Sequence, residues 1–188
     1  MLIAFNKPYG IISQFTSDGS KNGTLAEFNF PKDVYPIGRL DADSEGLLLL
    51  SDEASLNARL LLPEHAHERI YHVQVEGIPD EQDVRLLQSG TLSIQGYTIL
   101  PCTASLIDIQ YPDRIPPIRV RKTIPDSWIE LKLHEGKNRQ VRKMTAAIGH
   151  PTLRLIRVAI GAYLLNDMAP GTWRILNEQE RTLIFSKR

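Results

Sequence analysis

The chain has 188 residues, 42% of them hydrophobic and 23% charged, with 22 Lys and Arg balancing 22 Asp and Glu. This is a globular composition sized for one domain of two lobes or two small domains, and zero net charge argues against non-specific polyanion binding through bulk charge. No apolar run approaches the ~20 residues of a membrane span, the opening MLIAFNKPYG lacks the regions of a signal peptide, and the one cysteine, Cys102, excludes an internal disulfide framework.

A lone cysteine fits a reducing cytoplasm, with Cys102 a small buried apolar side chain. The charge balance is uneven along the chain. Residues 41–90 hold eleven acids against three Lys or Arg, and residues 114–143 hold nine Lys or Arg against three acids. The second segment is either a solvated basic surface or one that meets an anion.

In chain order, β-branched and aromatic runs bounded by Pro, Gly or Asp predict strands at residues 2–6, 11–15, 34–37 and 47–50. Residues 54–62 carry apolar positions at helical spacing, with a stop at Pro63. A strand follows at 70–75. Asp80 and Asp83 then cap a helix bearing Val84, Leu86 and Leu87, and Gly90 ends it. Another strand is expected at 105–109. Residues 110–126 carry four prolines, no periodicity, and Arg114, Arg119, Arg121 and Lys122. A loop of that length is functional or mobile more often than idle. After a strand at 128–133 comes a helix over 138–148, closed by Gly149 and Pro151. Val141, Met144, Thr145 and Ile148 form its core stripe, while Arg139, Arg142 and Lys143 share another face beside Gly136 and Lys137. That face suits phosphate, or is simply the wet side of the helix. Strands at 153–158 and 172–176 complete the set, and Asn177 with Glu180 has the spacing of a capping box for a last helix. Many strands and few helices give an α+β fold with a mixed or antiparallel sheet.

The stretch GRLDADSEGLLLLSD, residues 38–52, concentrates Asp41, Asp43, Glu45 and Asp52. With Gly46 these acids approximate the spacing of a calcium loop. Such a loop lies between two helices, whereas both flanks here read as strands. Asp43, Glu45 and Asp52 suit a hydrated turn. Asp41 differs, since it follows Arg39 and Leu40 at a strand end, beside a buried stretch, where a working nucleophile or base is placed. His65, His67, His72, His134 and His150 show no zinc spacing, and neither a G-x-S-x-G elbow nor a Walker A loop is present.

KPYG at 7–10, GRLDADSEGLLLL at 38–50, YHVQVEG at 71–77, EGKNRQVRKM at 135–144, GHPTLRLIRVAIG at 149–161 and PGTW at 170–173 occur in the order found in one family. Together they resemble the RsuA/RluE-type ribosomal RNA pseudouridine synthases over nearly the whole chain. PPIRVRKTIPDSW at 116–128 is most like the RluE branch, which acts on 23S ribosomal RNA. The resemblance implies an α+β pseudouridine synthase catalytic fold, a mixed and largely antiparallel central sheet with flanking helices, in two subdomains around a cleft. It implies a single catalytic domain over 1–188, without the S4-like RNA-binding domain of many relatives. The implied reaction detaches uracil from C1′, rotates it and rejoins it through C5, in a specific uridine of large-subunit ribosomal RNA. An isomerisation needs no redox cofactor, nucleotide or metal. Asp41 is the implied catalytic carboxylate, whether it attacks the sugar, adds to the base or removes a ribose proton. Arg142 is implied to pair with Asp41 and keep it ionised, Tyr71 to stack on the uracil, and Arg39 to support the displaced stack. Lys137, Arg139 and Lys143 are implied to hold phosphates. The expected enzyme is a cytoplasmic monomer whose partner is large-subunit ribosomal RNA, with no membrane or metal partner. The alternatives are a catalytically silent RNA-binding module and a calcium-binding structural protein.

Overall fold

The apolar run at the N-terminus forms β1, Leu2–Lys7, and all six of its residues are buried. Burial on both faces explains why the run is continuous and not alternating. The computed structural model describes residues 1–62, 67–118, 121 and 123–186. After β1 comes a 3-10 helix, Leu25–Phe28, closed at its start by a reciprocal Thr24–Glu27 capping box. Then follow β2 (Tyr35–Ile37), β3 (Glu45–Ser51), α1 (Ser55–Leu61) and β4 (Arg69–Glu76). Helix α2, Glu81–Gln88, is capped by Asp80 and Asp83 as expected, and Gly90 lies beyond its end at φ 67°. β5 (Ser93–Ile94) and β6 (Tyr97–Thr98) form a hairpin turning at Gln95 and Gly96, both at positive φ. The chain continues through β7 (Thr103–Ile107), β8 (Asp126–Leu133), α3 (Gln140–Ala147), β9 (Thr152–Ile160), β10 (Tyr163–Leu164) and β11 (Trp173–Ile175). It closes with α4, Glu178–Phe185, behind the Asn177–Glu180 capping box.

These elements divide into two compact units, one of Met1–Glu68 with Ile156–Arg188 and the other of Arg69–Leu155. In the first unit β1 pairs antiparallel with β11 on one side and β3 on the other. β3 in turn takes β2 antiparallel at Leu49–Ser51 and β9 in parallel at Glu45 and Gly46. Ile3, Phe5, Leu48 and Leu50 share a core with Leu25 and Val34, against which Phe28, Phe30 and Trp173 pack. In the second unit β8 lies between β4 and β7, all antiparallel. Tyr71, Val73, Val75, Ile129, Leu131 and Leu133 face a core completed by Leu87 of α2 and by Val141, Met144 and Ile148. The result is the α+β fold with a mixed, largely antiparallel sheet.

Three features differ from expectation. Residues 11–15 form no strand; one bridge, Ile11 to Gly23, is all the pairing they make. Their polar groups serve turns instead, with Ile12 donating to Gly23 and Leu25 donating to the Gln14 carbonyl. Helix α3 begins at Gln140, because Arg139 takes a left-handed conformation at the N-cap (φ 51°, ψ 32°). Arg139 therefore does not continue the helical face of Arg142 and Lys143. Glu45, expected in a hydrated turn, is buried at the start of β3. Pro63, His65, Arg119 and Lys122, singled out in the sequence, lie outside the described residues.

Candidate active site

The turn carrying Asp41 joins β2 to β3 in the first unit. Gly38 opens it at φ 72°, where a Cβ would also press to 2.9 Å from the Leu61 side chain. Leu40 is then clamped from both sides by one hydroxyl. Ser13 Oγ accepts from the Leu40 amide at 2.9 Å and donates to its carbonyl at 2.7 Å. The Ser44 amide closes the turn onto the Asp41 carbonyl at 3.0 Å, and the Gly10 amide donates to the Ala42 carbonyl at 2.7 Å. Asp41 itself is half-buried and Arg39 is exposed. With its neighbours tied on both sides, the Asp41 backbone is held in place before any ligand arrives.

Beneath this turn lies a charge that the sequence reading passed over. Lys7, the first residue of KPYG, is fully buried. Its Nζ donates to the carbonyls of Pro8 at 3.0 Å and Ile11 at 2.7 Å. Burial pushes the ammonium down to about 7, against Glu45, Asp43 and Asp41, which hold it up, while Arg157 pushes the same way as burial. Lys7 thus braces the 7–11 turn whose Gly10 amide holds the Asp41 loop, and its charge faces three of that loop's acids. Arg157 is equally buried and donates from Nε to the Leu47 carbonyl at 2.7 Å. Gly46 makes room for that contact. At φ 100°, a Cβ there would lie 2.3 Å from the Arg157 carbonyl oxygen.

The calcium alternative has no frame here. The acidic turn is flanked by β2 and β3, not by helices. Asp52 is exposed, and it pairs with the N-terminal ammonium. Among the described residues no set of His, Cys, Asp and Glu gathers as metal ligands would.

The second unit holds the other expected site residues. Tyr71 is on β4, 9% exposed and part of that unit's core. Arg142 and Lys143 are half-buried on α3, while Lys137 and Arg139 are exposed just before it. Gln140 organises that approach. Its side chain accepts from the Lys137 amide at 3.0 Å and donates to Glu135, which accepts from the Leu100 amide at 2.9 Å. The Lys137 ammonium lies 4.7 Å from the centre of the Tyr97 ring. The structure thus places Arg39 and Asp41 in one unit, and Tyr71, Lys137, Arg139, Arg142 and Lys143 in the other.

The sequence profile of RNA pseudouridylate synthase matches residues 1–147. The chain belongs to that family. It is 50% identical over 182 residues to a ribosomal large subunit pseudouridine synthase E of Xanthomonas campestris pv. campestris, covering 93% of this chain and 95% of that one. A protein of the same description from Xanthomonas axonopodis pv. citri is 53% identical over 174 residues, covering 90% of each chain. A crystal structure of a pseudouridylate synthase superposes with a TM-score of 0.79 at 25% identity, covering 97% of this chain and 73% of the other.

In this family member, Lys7, Ser13 and Arg157 are the supporting residues that sequence reasoning missed. The signal for Lys7 was available. A lysine just beyond the apolar run LIAF that opens a Pro-x-Gly turn has little wet surface to reach. Ser13 carried none, since its partner Leu40 lies 27 positions away.

Proposed function

We propose that this chain isomerises a specific uridine of large-subunit, 23S ribosomal RNA to pseudouridine, with Asp41 as its catalytic carboxylate. The observation carrying the assignment is the tied turn. Asp41 sits between backbone groups clamped by Ser13, Gly10 and Ser44, above a buried ammonium at Lys7. A module that merely bound RNA would gain nothing from a carboxylate fixed where a polyanion must approach. The reaction breaks the N1–C1′ bond and forms C5–C1′, while the C5 hydrogen is replaced by one on N1. No atom is gained or lost, so no co-reactant is required.

The remaining roles follow from chemistry and exposure. Arg142, half-buried on α3, supplies a positive charge to the reaction. Tyr71 supplies a flat face for the uracil. The target must leave its stack, at a cost of a few kcal/mol, and exposed Arg39 supports the gap it leaves. Lys137, Arg139 and Lys143 hold phosphates, adding affinity without sequence information. The protein acts in the cytoplasm as a monomer. Among the described residues no helix is long and apolar enough to cross a membrane.

The test is Asp41→Asn, which keeps the shape and removes the charge. Pseudouridine formation by the pure variant on transcribed 23S RNA is expected to fall to the no-enzyme background, with folding and RNA affinity nearly unchanged. Measurable turnover would sink the assignment. Mapping pseudouridines in RNA from cells with and without the protein identifies the target position.

A further inference from the structure

The face of β4 opposite its core carries a hollow that the roles above leave unused. Gln74 lies three positions beyond Tyr71, so it points to the other side of the strand. With Trp128 of β8, Arg154 of β9, and Tyr111, Asp113 and Arg114 of the loop between β7 and β8, it lines a hollow of about 450 Å3 within the second unit. Neither Tyr71 nor Arg142 is among its walls.

The walls are built, not incidental. Tyr111 packs on Trp128 with ring centres 5.0 Å apart. Its hydroxyl is hydrogen-bonded to His72 Nδ1 at 2.5 Å. Burial drives the Tyr111 hydroxyl up to about 12 and, working against Glu130, pushes His72 down. Arg154 places its guanidinium 5.7 Å from the Tyr111 ring centre and donates to the Pro112 carbonyl at 2.8 Å. The proline-rich loop is thus fastened to the sheet at its start, which presents Asp113 and Arg114 at the rim.

The geometry points to a second RNA subsite, holding one unpaired nucleotide of the substrate other than the target uridine. Its volume lies in the ~300–1,000 Å3 range of small-ligand sites. Unpaired bases are taken on aromatic and guanidinium planes and read along their edges by side-chain amides and carboxylates. Trp128 and Tyr111 supply the planes, Asp113 and the amide oxygen of Gln74, whose nitrogen is held by Asp126, the edge-readers, and Arg114 and Arg154 the charge for a phosphate. An acidic peptide would meet the same arginines but leave the aromatic pair unused. The inference rests on RNA being the substrate.

The test uses Trp128 as its own reporter. The chain has two tryptophans, so Trp173→Phe leaves Trp128 alone while keeping a ring against Phe30. Short single-stranded oligouridylate and oligoadenylate should quench its fluorescence saturably. A blunt RNA duplex and oligoglutamate should not. In the otherwise native protein, Trp128→Leu is expected to weaken binding of transcribed 23S RNA roughly tenfold to a hundredfold. Arg114→Gln is expected to lower the salt slope of binding by about 0.7. Both variants should retain the single-turnover rate at saturating RNA. If Trp128→Leu does not fold, the quenching and Arg114→Gln still decide. Quenching by duplex or oligoglutamate equal to that by single strands overturns the subsite, as does unchanged binding by Arg114→Gln. These results are separable from failure of the enzymatic reading, because that reading falls only if the wild type makes no pseudouridine or Asp41→Asn still does.

Discussion

Lys7 is the residue on which most of the Asp41 turn leans, and its energetics are unusual. Its ammonium has lost water and gained two carbonyls, with burial lowering it to about 7 from an ordinary 10.5. Lys7→Met preserves the stem and removes the charge, leaving the Pro8 and Ile11 carbonyls without their donor. A loss of about 1.5–3 kcal/mol in unfolding free energy is expected at pH 7, measured by urea titration. The pH dependence has a definite sign. Below about 7 the ammonium is protonated in both folded and unfolded chains, and the full cost of burying the charge is present. Between 7 and 10.5 the unfolded chain binds more protons, so stability rises with pH through that window. The wild type should therefore gain on Lys7→Met as pH rises from 7 to 10.5; a constant difference would mean that Lys7 does not titrate there.

At the scale of elements, α3 and its approach separate two kinds of cation. Lys137 and Arg139 are exposed before the helix, and Arg142 and Lys143 are half-buried on it. Lys137→Ala and Lys143→Ala should each lower the salt slope of RNA binding by about 0.7–0.9 and leave the chemical step intact. Arg139 needs Asn and not Ala, because its left-handed backbone is one that Asn tolerates. Arg142→Ala should instead reduce the single-turnover rate on the order of tenfold to a hundredfold at saturating RNA, for a charge-assisted partner of ~1.5–3 kcal/mol. Rescue of Arg142→Ala by excess RNA would remove it from the chemistry. The element-level reading of the sequence succeeded where periodicity and caps coincide. Asp80 with Asp83 and Asn177 with Glu180 were legible, because a capping box is local. Residues 11–15 misled because β-branched composition does not reveal that their hydrogen bonds are made with Gly23, Leu25 and Leu40. Arg139 misled because nothing in EGKNRQ announces a positive φ at an arginine. The two-residue strands β5 and β10 are too short to carry a period.

For the whole molecule, the motifs legible in the sequence lie on both units: KPYG and GRLD on the first, YHVQVEG and EGKNRQVRKM on the second. Illegible was how the first unit closes on itself. Arg181 of α4 grips Glu53 with both terminal nitrogens at 2.8 Å, and the N-terminal ammonium joins at 3.1 Å. Hydrogen bonding to Arg181 and to that ammonium holds the Glu53 carboxyl near about 2. A depressed carboxyl stabilises above its ordinary range, and the effect fades as pH falls from 4.5 through about 2. Arg181→Gln should cost under about 1 kcal/mol at pH 7, since Glu53 is partly solvated. That difference should shrink below pH 4.5 in acid-unfolding curves, and a difference that persists at pH 2 would assign the effect to packing. The first unit also joins opposite ends of the chain. β1 is paired to β11, and Glu45 and Gly46, which begin β3 after Asp41, are paired to Ile156 and Arg157. During synthesis β1 and β3 are made long before β9 and β11, the strands they pair with. A nascent chain thus holds the turn bearing Asp41 on an incomplete sheet until the last strands emerge.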